Sequence, residues 1–183
     1  SELKVLDDED REVPPGTPGN MVGRSLTMMS GYKNRPDKTA EAQWIDPATG
    51  EAWMRMGDIG RVDAEGFVEL VGRAKDMIIS GGENIYSREV ENAVHAHPAV
   101  RECAVIGVPD ERWGEAVLAV VALKDGKSAT AEDIITHCRS LIANYKCPRQ
   151  VEFRDALPLS GAGKIMKNVL REPYWKNSQR SVN

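Results

Sequence analysis

Cysteine is scarce in this chain of 183 residues, which holds three: Cys103, Cys138 and Cys147. An odd number without metal-type spacing argues against a disulfide framework or a zinc site and points to a reducing, cytoplasmic setting. Long apolar runs are missing too, since none approaches the roughly 18 residues that a membrane helix needs. The start, Ser1-Glu2-Leu3-Lys4, lacks the charged-then-apolar layout of a signal peptide and also lacks methionine, so a cut or processed chain is expected. A basic surplus is absent: 24 Lys and Arg stand against 28 Asp and Glu, a net charge of -4, which gives no electrostatic case for nucleic acid. The acidity sits in the first part, where residues 1–74 carry 9 basic and 14 acidic groups against 15 and 14 in residues 75–183. There is no internal repeat, no low-complexity segment, no Ser-His-Asp set and no convincing pair of carboxylates. Such a length holds one or two small domains.

Turn signals and periodicity organise what is present. Residues 1–72 read as turn-rich β structure, with a strand at Leu3–Leu6, an acidic turn at Asp7–Asp10 and a Pro-Gly loop from Pro14 to Gly19. Ile59–Val62 and Phe67–Val71 read as a hairpin about the turn Asp63-Ala64-Glu65-Gly66, with Gly57-Asp58 just before its first strand. Ser87 is placed to cap a helix that carries Val90, Ala93, Val94 and His97 at helical spacing until Pro98. Two apolar runs, Cys103–Val108 and Ala116–Leu123, read as buried strands about the polar loop Pro109–Gly114. Thr130 and Asp133 have capping-box spacing, and Ile134, Ile135, Cys138, Leu141, Ile142 and Tyr145 fall on one face of the helix they open, which Pro148 stops. A strand at Gln150–Phe153, a loop from Leu157 to Lys164 and a helix near Lys167–Arg171 complete an α+β domain from about residue 75 onward.

Several residues carry chemistry that their surroundings leave open. Lys164 follows Gly163 in a glycine-rich loop; it is a solvated surface lysine or a cation for an incoming anionic group, and the spacing is not that of a P-loop. Asp58 and Arg73 are a carboxylate acceptor and a guanidinium donor, fit for a vicinal diol or for each other as a salt bridge. Gly81-Gly82 serve a tight turn or a close backbone approach to a ligand. Trp113 and Tyr145 offer stacking surfaces and Arg149 a phosphate partner, or they are a loop anchor, a core-edge residue and a solvated charge. His95 and His97 cannot share a helix face at a spacing of two, and His137 is an ordinary helix residue, so metal binding is not expected.

Taken in order, Gly57-Asp58, Gly72-Arg73, Ser80-Gly81-Gly82-Glu83-Asn84, Tyr145-Lys146-Cys147-Pro148 and Gly163-Lys164 resemble the adenylate-forming superfamily, most closely its AMP-forming acyl-CoA synthetases. The resemblance covers nearly the whole chain, including Tyr32-Lys33-Asn34-Arg35-Pro36 and Thr39-Ala40-Glu41. It implies that residues 1–74 end a large N-terminal adenylation domain as a β-rich remnant. Residues 75–183 would then be the mobile C-terminal domain, with a short mixed sheet and flanking helices. By the same resemblance, Asp58 and Arg73 hold the AMP ribose, Lys164 contacts carboxylate and phosphate oxygens during adenylation, and Lys75 is the hinge. Gly81, Gly82, Glu83, Asn84, Trp113, Tyr145 and Arg149 would serve CoA. Three positions depart from the family pattern: Cys147 replaces a basic residue, Met56 stands for a threonine and Ala162 for a threonine or other polar residue.

Nothing in the chain matches the family's Ser/Thr/Gly-rich phosphate loop, its acyl pocket or its magnesium-site glutamate. The expectation is therefore a fragment of an acid–CoA ligase acting on a fatty or aromatic acid with ATP, CoA and Mg2+, inactive alone and partnered by its own N-terminal domain; the oligomeric state stays open. The alternatives are an adenylation enzyme that loads a carrier protein, or a non-catalytic module that binds CoA or a partner.

Overall fold

A computed structural model describes residues 1–176. Within it the chain forms two compact units that meet at Ala74 and Lys75. The first is an antiparallel sheet of β1 (Glu2–Leu6), β2 (Gly19–Arg24), β3 (Gln43–Ile45), β4 (Ala52–Val62) and β5 (Val68–Arg73), with a short helix α1 (Pro36–Ala42) before β3. β4 is the shared strand: β1 reaches it through β2, while β3 pairs with Ala52–Met54 and β5 with Asp58–Val62. The expected hairpin is there, closed by the Asp63 N–H to the Phe67 carbonyl at 3.0 Å and by Gly66 at φ 88°. Gly57-Asp58, however, lies inside β4 rather than before it. Gly57 takes φ 72° within a continuing strand, the kinked geometry that glycine permits.

A small core of Leu6, Val22, Trp44 and Trp53 holds this sheet. The two indoles face each other across β3 and β4, edge to face with centroids 6.3 Å apart. Lys4 Nζ lies over both and bonds the buried Asp46 carboxylate at 3.0 Å. The Ala48 N–H and then Lys4 hold the Asp46 carboxyl below its ordinary range. Three elements here had no counterpart in the expected layout: β2, which begins at Gly19 where a loop was anticipated, together with α1 and β3.

The second unit contains β6 (Met77–Ser80), β7 (Glu83–Tyr86), α2 (Ser87–His95), β8 (Val100–Asp110), β9 (Gly114–Leu123), α3 (Ala131–Arg139), β10 (Gln150–Phe153) and α4 (Lys167–Trp175). Its sheet is mixed: β8, β9, β6 and β7 are antiparallel, and β10 joins β9 in parallel through the α3 crossover. The architecture is α+β. Along β8 and β9 the side chains alternate between two cores. Val105, Val117, Ala119 and Val121 pack with Val90, Val94, Ile134 and Cys138 of α2 and α3. Ala104, Ile106, Ala116, Leu118 and Val120 pack with Leu157 and Leu170 on the opposite face. Burial on both faces explains why these strands read as unbroken apolar runs.

Local chemistry sets the helix ends. Thr130 Oγ1 accepts from the Asp133 N–H at 3.2 Å while the Asp133 carboxylate accepts from the Thr130 N–H at 2.8 Å, the reciprocal capping box that the spacing predicts. The helix stops at Arg139, well before Pro148. Ile142 still packs on the core, but Leu141 is 53% exposed and Tyr145 sits in a 3-10 turn, Asn144–Lys146. Ser87 does not cap α2: it is the buried first helical residue, and its Oγ accepts from Lys167 Nζ at 2.8 Å. The last helix runs on past Arg171 to Trp175 with Pro173 inside it.

These placements separate two substitutions that periodicity treats alike. Ile134→Ala, at a fully buried site, is expected to cost about 2–5 kcal/mol, whereas Leu141→Ala should stay within about 0.5 kcal/mol. Urea denaturation of both variants checks this, and comparable losses would show that the helix continues to residue 141.

Candidate functional site

Turns at the ends of the second sheet assemble the first group of chemistry-bearing residues. Between β6 and β7, Gly81 and Gly82 both take positive φ (63° and 87°), as a two-residue hairpin of the I′ type requires. Between β8 and β9 the loop is shorter than expected, because the strands extend to Asp110 and restart at Gly114. Asp110 Oδ1 accepts from the N–H groups of Arg112 and Trp113 at 2.9 Å each, and Gly114 at φ 79° returns the chain to β9. This turn aims the Trp113 indole at the β6–β7 turn, where the Gly81 N–H bonds the Trp113 carbonyl at 2.8 Å. A Cβ on Gly81 would lie 2.7 Å from Trp113 Cε3. The glycine therefore serves both readings: the turn needs it, and so does the close approach of an aromatic ring.

Arg149 joins from a third element, its N–H bonded to the Val117 carbonyl at 2.9 Å as the chain enters β10. Its guanidinium carbon stands 4.8 Å from the Trp113 ring centroid, and that of Arg112 stands 4.7 Å from the same ring. Among the described residues neither guanidinium has a carboxylate partner. Arg112 is the functional candidate that motif reading missed; the Arg-Trp tandem in a turn was the available signal. Glu83 and Asn84 are exposed on β7 beside this cluster's turn. Tyr145 is 48% exposed, with Lys146 Nζ 5.7 Å from its ring, and makes no ring contact with Trp113. Lys146 itself is committed, since both Glu89 oxygens take its ammonium at 2.8 Å and raise its pKa.

Lys164 sits at the end of a closed turn rather than a loose loop. The Ser160 N–H donates to the Lys164 carbonyl at 2.8 Å, the Gly163 N–H to the Ser160 carbonyl at 2.8 Å, and the Lys164 N–H to Ser160 Oγ at 3.2 Å. Gly163, at φ 74°, supplies turn geometry and not mobility. The Lys164 side chain is exposed and has no ion-pair partner among the described residues. Lys75 is exposed in a 3-10 turn, Ala74–Asp76, at the start of the second unit.

Asp58 and Arg73 belong to the first unit, directly opposite each other across β4 and β5. Arg73 Nε donates to Asp58 Oδ1 at 3.1 Å, so the salt bridge exists. It uses one edge of each group, and the Asp58 Oδ2 and Arg73 Nη atoms keep no partner among the described residues. An acceptor and paired donors thus remain side by side for a diol. The same unit has a groove of about 620 Å3 around Ser30–Gln43, with Tyr32, Arg35 and Thr39 in its wall. Asp37 neutralises Arg35 there, and Glu41 neutralises the neighbouring Lys38.

Comparison with known proteins decides the family. Residues 89–164 match the AMP-binding enzyme C-terminal domain. A feruloyl-CoA synthase from Amycolatopsis sp is 42% identical over 174 residues, 95% of this chain and 34% of that protein. The chain belongs to the adenylate-forming enzymes. A fatty acid–[acyl-carrier-protein] ligase, ScoC of Streptomyces coeruleorubidus, is 41% identical over 180 residues, 98% of this chain and 34% of its own length. The crystal structure of ATP-bound MatB from Rhodopseudomonas palustris superposes with a TM-score of 0.86 at 34% identity, covering 98% of this chain and 35% of that one. The chain thus spans about a third of the length of the relatives it matches. Among the described residues no helix is long and apolar enough to cross a membrane.

One departure from the adenylate-forming pattern has a packing explanation. Cys147 is buried in the core between α2 and α3, its thiol near the carbonyls of Ile142 and Ala143 at 3.9 and 3.6 Å. A charged side chain at this buried position would be costly without a partner. Burial pushes the Cys103 thiol up to about 12 and the Cys138 thiol up to about 11, and it raises Cys147 as well.

All three thiols stay protonated at pH 8, so a disulfide-exchange reagent should leave them unreacted for hours in the native chain and label all three in urea; rapid labelling of a native thiol, located by peptide mapping, would place that cysteine on an open surface. Stability should also fall as pH rises past the ordinary thiol value of 9.0, because the unfolded thiols release protons first. Gly81→Ala should shift the Trp113 emission, since the new methyl collides with the indole. Gly82→Ala, with nothing within 4 Å of its Cβ, should cost only about 1–2 kcal/mol of left-handed strain and leave the emission in place.

Proposed function

We propose that this chain is the C-terminal portion of an acid–CoA ligase in which the carboxylate of a fatty or aromatic acid attacks the α-phosphorus of ATP. Pyrophosphate leaves, and the CoA thiolate then attacks the acyl carbon and expels AMP. Residues 1–74 are the end of the N-terminal adenylation domain, and residues 75–183 are the mobile C-terminal domain. The observation that carries the reading is the convergence of Gly81, Trp113 and Arg149, from three separate elements, on one indole with unpaired guanidinium groups beside it. A stacking face flanked by cations fits the nucleotide end of CoA, with Arg112 as a further phosphate contact. Gly82, Glu83 and Asn84 continue that turn towards the pantetheine arm, and Tyr145 offers a second stacking face.

The other roles rest on simpler chemistry. The free edges of Asp58 and Arg73 take the ribose hydroxyls of AMP. Lys164, a cation without an internal partner on a closed turn, offsets charge that builds on the phosphate and carboxylate oxygens. Lys75 is the hinge about which the second unit turns, so that Lys164 leaves after adenylation and the Gly81-Gly82 turn arrives for thioester formation. No cluster of His, Cys, Asp or Glu among the described residues could hold a metal ion, and no step through Mg2+ is assigned to this chain. The relative that acylates a carrier protein supports a second reading, in which the acceptor thiol belongs to such a protein. The basic, aromatic character around Trp113 favours free CoA. The three free cysteines fit a reducing, cytoplasmic setting.

In the full-length enzyme, Lys164→Ala should slow acyl-adenylate formation by about 100-fold or more while thioester formation from supplied acyl-adenylate keeps its rate. Single-turnover assays of the two steps check this; equal losses in both would remove Lys164 from its assigned role.

A further inference from the structure

The last helix does more than cover the second core. From its N-terminal end, Lys167 Nζ reaches Glu91 Oε1 at 2.7 Å and Ser87 Oγ at 2.8 Å, and that same Glu91 oxygen accepts the Val105 N–H at 2.9 Å. At its other end Tyr174 bonds Glu152, and Trp175 Nε1 donates to the Gly107 carbonyl at 3.1 Å. Leu170 is fully buried between these anchors. α4 is therefore fixed to α2, β8 and β10. One side chain of this pinned helix reaches outside the core: Arg171 Nη1 donates to the Lys75 carbonyl at 2.8 Å, bridging 96 positions of sequence. Arg171 Nε is itself buried and has no partner among the described residues, so packing holds the guanidinium while Nη1 bonds that carbonyl.

We propose that Arg171 is the positioning residue of the hinge. This rests on the ligase reading above. The bond fixes the carbonyl of Lys75 to the rigid body that carries Lys164, which lies three residues ahead of α4. Rotation about the φ of Asp76, on the far side of that peptide plane, would swing the carbonyl away and break the bond. With the bond intact, turning is confined to the φ and ψ of Lys75 and the torsions of Arg73 and Ala74. Arg171 thus sets where the chain pivots, and so how the Lys164 turn and the Gly81-Gly82 turn are presented in alternation. It touches no substrate, and its effect passes through the backbone.

The test uses Arg171→Ala and the charge-retaining Arg171→Lys, with Arg139→Ala as control; Arg139 pairs with Glu132 on the exposed side of α3. Hydrogen exchange of the Lys75–Met77 amides in the purified chain should quicken about tenfold or more in Arg171→Ala, the loss expected for one hydrogen bond from a charged donor. It should be partly restored in Arg171→Lys, with β8 and β9 unchanged. In the full-length enzyme the ratio of adenylation rate to thioester-formation rate should shift in Arg171→Ala at constant KM for ATP. Faster exchange throughout the second unit, in both variants, would make Arg171 an ordinary packing residue and overturn the proposal. Parallel loss of both partial reactions, or no change in either, would overturn it too while leaving the ligase assignment standing. Failure of the ligase assignment shows separately, as an enzyme without any acid-dependent adenylation.

Discussion

The antiparallel ladder of β8 and β9 is the constraint on which the second unit depends. It is apolar on both faces, so it demands cover from two sides at once, and α2 and α3 supply one cover while Leu157 and α4 supply the other. Neither cover is stable without the ladder, since short helices gain most of their stability from the apolar face they bury. Because the register runs without a break from Glu102–Ala122 to Asp110–Gly114, the strand ends are placed within narrow limits. The turn that presents Arg112 and Trp113 hangs from those ends, and the Gly81 hairpin docks on it.

From that ladder the candidate site follows by hydrogen bonding alone. Asp110 closes the three-residue turn that presents Trp113; the Gly81 N–H docks the neighbouring hairpin on that turn; the Val117 carbonyl receives Arg149. The Ser160 turn and the α4 anchors do the same for Lys164 on the opposite core. Rigid presentation suits residues that must meet a substrate held elsewhere, because each loose torsion would dilute the productive geometry. The free valences are equally selective. Lys146, Lys167 and Arg35 are matched with carboxylates, whereas among the described residues Arg112, Arg149 and Lys164 are not.

The legible parts of the sequence were those in which one physical signal dominates. Cys103–Val108 and Ala116–Leu123 could be read because a strand buried on both faces has no polar interruptions, and Thr130–Asp133 because a capping box is local. The end of α3 was misread because apolar residues persist beyond Ser140 for another purpose, with Ile142 reaching the core from the bend between α3 and the 3-10 turn. Ser87 looked like a cap, but a lysine 80 positions away claims its hydroxyl. Gly57-Asp58 read as lying just before a strand, whereas Gly57 sits inside a kinked one at positive φ. Among site residues, Asp58, Arg73 and Lys164 stood out through ordered motifs, and Trp113 and Arg149 through their side-chain chemistry and the resemblance. Arg112 and Arg171 did not, since a cation's lack of a carboxylate partner, or its reach to a distant carbonyl, is a tertiary fact.

The account's central claim is that this chain holds the moving side of an adenylate-forming site whose other side lies in residues outside it. The most direct measurement mixes the 183-residue chain with a separately prepared N-terminal region of the same enzyme and follows AMP release. The account predicts AMP release that depends on ATP, on acid and on CoA in the mixture, and none from either part alone. Acid-dependent ATP–pyrophosphate exchange by the chain alone, or no activity from a mixture in which both parts are folded and bound, would contradict it.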